Sequence, residues 1–123
     1  ILRGSSLGPN FDEMHVKDAG EALQKAGINN RIMVDCSHGN SCKDYRNQPG
    51  VAAAIAKQIA EGSDQVAAVM IESNLVEGAQ PLSSDLVYGK SITDQCIGWD
   101  TTVEVLENLA AAVRTRRAKR QEA

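Results

Sequence analysis

Two apolar segments of the chain end in groups that bind metals or protons. "IMVDCSH" ends at His38, and "VAAVMIES" carries Glu72 one residue before its end. Further on, the polar stretch "YGKSITD" adds a carboxylate at Asp94. One imidazole and two carboxylates form a borderline-to-hard donor set that suits Mn, Fe, Co or Zn. Each residue taken alone has an ordinary alternative. His38 could cap a strand end through hydrogen bonds, Glu72 could pair with a nearby Lys or Arg, and Asp94 could N-cap a short turn. Their recurrence at two strand ends and one loop is what sets a shared site beside those readings.

Other chemistry-bearing residues are less organised. Cys36-x-His38-x3-Cys42 has the look of half a zinc site, but structural zinc needs four ligands and no second pair occurs. Cys36 shares strand parity with His38 and could face the same interior, or it could be a small core residue. His15, among charged neighbours, reads as a surface residue. Arg3 and Lys90 flank strand-end loops where an anion could bind, with a solvated surface role as the alternative for each.

The elements that must position these groups alternate along the chain. "ILRG" reads as the end of a strand, followed by the turn-rich "SSLGPN". A helix is predicted from Asp12 to about Ala26, N-capped by Asp12 and stopped by Gly27, with Met14, Ala19, Ala22, Leu23 and Ala26 as its apolar stripe. Residues 31–36 read as a strand and "SHGNSCKDYRNQ" as a loop. Pro49 opens a second helix whose core face is Val51, Ile55 and Ile59, and Gly62 ends it. "QVAAVMIES", residues 65–73, is apolar without alternation, the pattern of a strand buried on both faces. After a long polar loop to about Gly98, a last helix starts near Thr101 or Thr102 and packs through Val105, Leu106, Leu109 and Val113. The order β-α-β-α-β-α predicts a parallel α/β arrangement. In such folds the carboxyl ends of the strands share one rim, which brings His38 and Glu72 to the same edge. Periodicity alone does not distinguish an open sheet from part of a (β/α)8 barrel.

With 123 residues, the chain is one domain or part of one. Aromatics make up only 3%, so the core must come from Ala, Val, Ile and Leu. A formal charge of -3 argues against a nucleic-acid surface, despite the cationic "RTRRAKR" near the C-terminus. Residues 118–123 are expected to fray as a disordered tail. Three scattered cysteines make no disulfide scaffold, and nothing resembles a signal peptide or approaches the roughly 20 apolar residues of a membrane span. A cytoplasmic protein with reduced thiols is the expectation.

"ILRG", "VDCSHGNS", "VMIESNLVEG" and "YGKSITDQCIGW" together resemble consecutive signature segments of type I 3-deoxy-D-arabino-heptulosonate 7-phosphate (DAHP) synthases. The resemblance is to the C-terminal half of that family's barrel and runs from Ile1 to about Arg117, so residues 1–117 are expected to form that part. It implies a (β/α)8 TIM barrel that condenses phosphoenolpyruvate with erythrose 4-phosphate and releases phosphate, the first step of the shikimate pathway. It also implies a divalent metal held by a Cys, a His, a Glu and an Asp. By motif, His38, Glu72 and Asp94 match three of these ligands, and Arg3 matches an arginine that holds the phosphoenolpyruvate anion.

The family's metal-binding Cys lies early in the barrel, in a segment this chain lacks, and Cys36 is not assigned to that place. A barrel needs about 250 residues. The expectation is therefore a partial piece that is inactive alone and needs the upstream half, with a homo-oligomer when complete. The rival readings are a non-catalytic α/β binding or assembly module, and a sister synthase that uses another aldose phosphate.

Overall fold

The computed structural model describes residues 1–122. Helix α1 is Glu13–Lys25, and the Asp12 side chain accepts from the His15 backbone N–H at its start. At its end Gly27 takes φ 72°, which lets the Ile28 N–H reach back to the Leu23 carbonyl at 2.9 Å. Strand β1 is Ile32–Asp35, helix α2 is Gln48–Ala60, strand β2 is Val66–Met70, and helix α3 is Trp99–Glu122. Between β1 and α2 lie two short 3-10 turns, His38–Ser41 and Tyr45–Asn47.

β1 and β2 pair in parallel, with one irregularity between Ile32 and Met33 where the partners step from Val66 to Ala68. Single bridges extend the sheet on both sides. Leu2 pairs in parallel with Val34, its N–H reaching the Met33 carbonyl at 2.9 Å and its carbonyl accepting from Asp35 N–H at 2.8 Å. Ser73 pairs in parallel with Ile97, whose N–H donates to the Glu72 carbonyl at 2.9 Å. The strand expected at "ILRG" is thus present as a single bridge, and the α/β alternation holds.

All three helices cover one face. Val16 of α1, Ile55, Ala56 and Ile59 of α2, and Ala112 of α3 bury against Ile32, Val34 and Val66. A second cluster joins Cys36, Val51, Ala52, Ile97 and Val105. Aliphatic burial therefore supplies the core, as the scarcity of aromatics requires.

Several sequence expectations need correction. The second strand is Val66–Met70, shorter than 65–73, and it is not buried throughout: Ala67 is exposed, and Ala68, Val69 and Met70 are half-buried. In α1 the packed stripe is Val16, Ala19, Gly20 and Leu23, spaced i, i+3, i+4, i+7. Met14 lies on the far side and is 68% exposed, while Ala22 and Ala26 are also exposed. Leu106 is 52% exposed, because Val105, Leu109 and Ala112 define the inner face of α3. Helix α3 runs through Glu122. Ala, Lys, Arg and Gln favour that state. Arg116 also donates to the Ser63 carbonyl and Arg120 pairs with Asp64. Among the described residues no helix is long and apolar enough to cross a membrane.

Candidate metal centre

The β1 strand places its helix-facing residues in phase: Ile32, Val34 and Cys36 all point into the core. Asp35 is opposite in phase and 1% exposed. After Ser37 the chain turns through His38 at φ 46°, a left-handed conformation uncommon for a residue with a Cβ. That turn breaks the strand's alternation, so His38 leaves the side that Cys36 occupies. The loop is held where it needs to be by Asn40, whose Nδ2 donates to the Asp35 and Leu2 carbonyls at 2.8 and 3.1 Å. Its Oδ1 accepts from Asn10 N–H at 2.7 Å. Gly4 and Gly39 allow the neighbouring backbones to touch, since a Cβ on Gly4 would lie 2.5 Å from the Gly39 carbonyl carbon.

The three residues chosen from sequence meet there. One donor atom each from His38, Glu72 and Asp94 lies within 4.8 Å of the others. The His38 Nε2 sits 3.2 Å from Glu72 Oε1 and 3.4 Å from Asp94 Oδ2. His38 Nδ1 sits 2.7 Å from Asp35 Oδ2. Ser37, His38, Lys43, Glu72, Asp94 and Gln95 line a cavity of about 80 Å³ at this point. The three ligand candidates are half-buried or exposed, which leaves the site open to solutes.

Further groups fix these ligands, and sequence reasoning missed them. Gln48, 1% exposed at the start of α2, accepts from the Glu72 N–H at 2.9 Å and donates to its carbonyl at 3.1 Å. Ser37 Oγ donates to Glu72 Oε1 at 2.7 Å. Asp35 accepts the Ser37 N–H at 2.8 Å on Oδ1 and holds His38 on Oδ2. The one signal in the sequence was the pair of polar residues, Asp35 and Gln48, set against apolar runs.

The donor chemistry fits a divalent cation. A carboxylate only accepts hydrogen bonds, so the short contact to Asp35 calls for a proton on Nδ1 and leaves Nε2 as the nitrogen that would hold a metal. Nε2 then presents a lone pair towards two further carboxylate oxygens, and Lys43 is the sole cationic side chain among the residues lining the cavity. A cation of charge two would relieve the crowding of acceptors around one small space.

The other candidates do not join this group. Cys36 is fully buried among Val51, Ala52 and Ile97, and burial, aided by the Asp35 charge, pushes its thiol up to about 12. Cys42 is exposed, so the Cys36-x-His38-x3-Cys42 pattern forms no zinc half-site. Cys96, buried and with its thiol raised by desolvation and by the Glu72 charge, lies next to the site. His15 is on the surface, paired with Asp12. Arg3 follows the Leu2 bridge, and its carbonyl accepts from Asn40 N–H at 3.2 Å. It is therefore on the same rim as His38, with its side chain outside the cavity lining. Lys90 likewise does not line it.

The model of the DAHP synthetase I family matches residues 1–107. A putative phospho-2-dehydro-3-deoxyheptonate aldolase of Schizosaccharomyces pombe is 52% identical over 96% of this chain and 33% of its own length. The Phe-sensitive phospho-2-dehydro-3-deoxyheptonate aldolase of Escherichia coli is 49% identical over 95% of this chain and 34% of its own. The solved phospho-2-dehydro-3-deoxyheptonate aldolase of Francisella tularensis superposes with a TM-score of 0.90 at 50% identity, covering 93% of this chain and 33% of that one. The chain spans about a third of the length of these relatives. The matched segment contains the whole His38, Glu72 and Asp94 cluster, and on these grounds the chain belongs to the DAHP synthetase I family.

Proposed function

We propose that this chain is the C-terminal part of a (β/α)8 barrel that condenses phosphoenolpyruvate with erythrose 4-phosphate, and that it carries three of the ligands of a divalent metal. The observation that carries this reading is the convergence of His38 Nε2 with the Glu72 and Asp94 carboxylates. The ion, when bound, supplies Lewis acidity towards the aldehyde carbonyl oxygen of the sugar phosphate. Glu72 is held by Gln48 and Ser37 and His38 by Asp35, so both ligands are oriented before anything binds. Arg3, on the same rim, pairs with the phosphoenolpyruvate anion, and Lys43 faces the cavity to attract a phosphorylated substrate. The metal is Mn, Fe, Co or Zn, for which one imidazole and two carboxylates are suitable donors.

The upstream part of the barrel supplies the remaining ligand and most of the substrate contacts. One-sided helix cover, the half-exposed Ala68 and Met70, and sheet edges ended only by single bridges support this dependence. The chain alone is inactive on this account, and the complete protein is a cytoplasmic homo-oligomer. The test is the complete protein with His38→Ala. It should stay folded, lose its metal and lose metal-dependent synthesis; normal metal content and full activity would refute the assignment.

A further inference from the structure

The buried carboxylate behind His38 is not one of the ligand candidates, yet it touches the imidazole more closely than either of them. Asp35 is 1% exposed and makes two contacts with separate oxygens. Oδ1 takes the Ser37 N–H at 2.8 Å, and Oδ2 lies 2.7 Å from His38 Nδ1. Its own carbonyl is tied to Asn40 Nδ2 at 2.8 Å, which stops the carboxylate and the His38 turn from shifting independently.

We propose that Asp35 is the positioning residue of this centre, holding His38 in the Nδ1–H tautomer so that Nε2 is free to face Glu72 and Asp94. This rests on the metal-centre reading given above. Without that hold, the imidazole of a residue at φ 46° has no other recorded partner on Nδ1. The alternative tautomer would put a proton on Nε2, which would then donate to Glu72 Oε1 at 3.2 Å or Asp94 Oδ2 at 3.4 Å and close the ligand position. The geometry favours the open state because the Asp35 contact on Nδ1, at 2.7 Å, is shorter than either carboxylate contact on Nε2.

Asp35→Asn separates this role from simple packing, because the two side chains have the same shape. An amide accepts on one atom and donates on the other. If its oxygen keeps the Ser37 N–H, its NH2 faces His38 Nδ1 and favours the proton on Nε2. If it flips, the NH2 opposes the Ser37 N–H. Hydrogen-bond partners of metal-bound histidines typically contribute 10–100-fold to metal affinity.

The experiment is a cobalt(II) titration of the complete protein, wild type against Asp35→Asn, read by visible absorption and by competition with a chelator. Circular dichroism checks that each is folded. The expected result is about 10–100-fold weaker binding with an altered cobalt spectrum. A folded variant with the same affinity and the same spectrum would overturn the proposal. If the variant does not fold, the tautomer is read directly from the ring-nitrogen shifts of metal-free wild-type protein labelled with 15N-histidine. A protonated Nδ1 on His38 supports the proposal, and a protonated Nε2 overturns it. Wild type that binds no cobalt would refute the metal-centre reading separately, and the nitrogen shifts would still decide the role of Asp35.

Discussion

Gln48→Met in the complete protein tests how the strand end carrying Glu72 is held. Gln48 is 1% exposed and bonds both backbone groups of Glu72, the N–H at 2.9 Å and the carbonyl at 3.1 Å. Met is close in volume, so the change removes hydrogen bonds with little cavity. The two losses are unequal. The Glu72 carbonyl keeps the Ile97 N–H at 2.9 Å, but the Glu72 N–H is left with no partner. An orphaned donor costs about 1–3 kcal/mol when buried, the upper bound for this half-buried residue, and the lost bond to a still-satisfied carbonyl about 0.5–1.5 kcal/mol. The expected destabilisation is therefore about 1.5–4.5 kcal/mol, read as a lower urea midpoint at unchanged slope in chelator. Because Glu72 is a ligand candidate, cobalt affinity should fall with it. A variant with the wild-type midpoint and wild-type affinity would refute the claim that Gln48 positions Glu72.

Other consequences are smaller in scope. Gly4→Ala combines φ 79° with a Cβ placed 2.5 Å from the Gly39 backbone, so it should lose at least about 2 kcal/mol by urea unfolding. Gly8→Ala, at φ 124° with nothing within 4 Å, should show only backbone strain of about 1–3 kcal/mol, and a loss larger than that of Gly4→Ala would contradict the close-approach argument. Burial holds the Cys36 thiol at about 12, against 9.0 when unfolded, so the folded state keeps a proton that the unfolded state releases. That contribution is complete below pH 9 and is lost as pH rises from 9 to 12. Cys36→Ala should flatten the alkaline limb of stability against pH, and an unchanged limb would contradict the cause given. A thiol reagent near pH 8 should modify exposed Cys42 first and spare Cys36 until unfolding, which peptide mapping would show.

The parts of this molecule that were legible in the sequence are those with a local cause. Asp12, Gly27, Pro49 and Gly62 bounded the helices because caps and stops act through neighbouring backbone groups. His38 and Glu72 were legible because ligand-type residues sat at the ends of apolar runs, and parallel strands bring such ends to one rim; Asp94 was legible only as a carboxylate in a polar loop. What was hidden depends on contacts across the chain. Gln48 and Glu72 are 24 residues apart, and nothing near either reveals the other. Of the two readings open for Cys36, the small core residue is the one the fold bears out, and the left-handed backbone at His38 ends the parity the two residues would share in a strand. Met14 and Leu106 looked like core residues because composition shows that a side chain is apolar, not which surface covers it. Both are exposed in the fold, at 68% and 52%.

The central claim is that His38, Glu72 and Asp94 share one divalent ion. The most direct measurement is an anomalous difference map from manganese-soaked crystals of the complete protein. The account predicts one peak within about 2.0–2.4 Å of His38 Nε2 and of a carboxylate oxygen from both Glu72 and Asp94. No peak at this position with manganese bound elsewhere, or a peak that leaves His38 Nε2 uncoordinated, would contradict it.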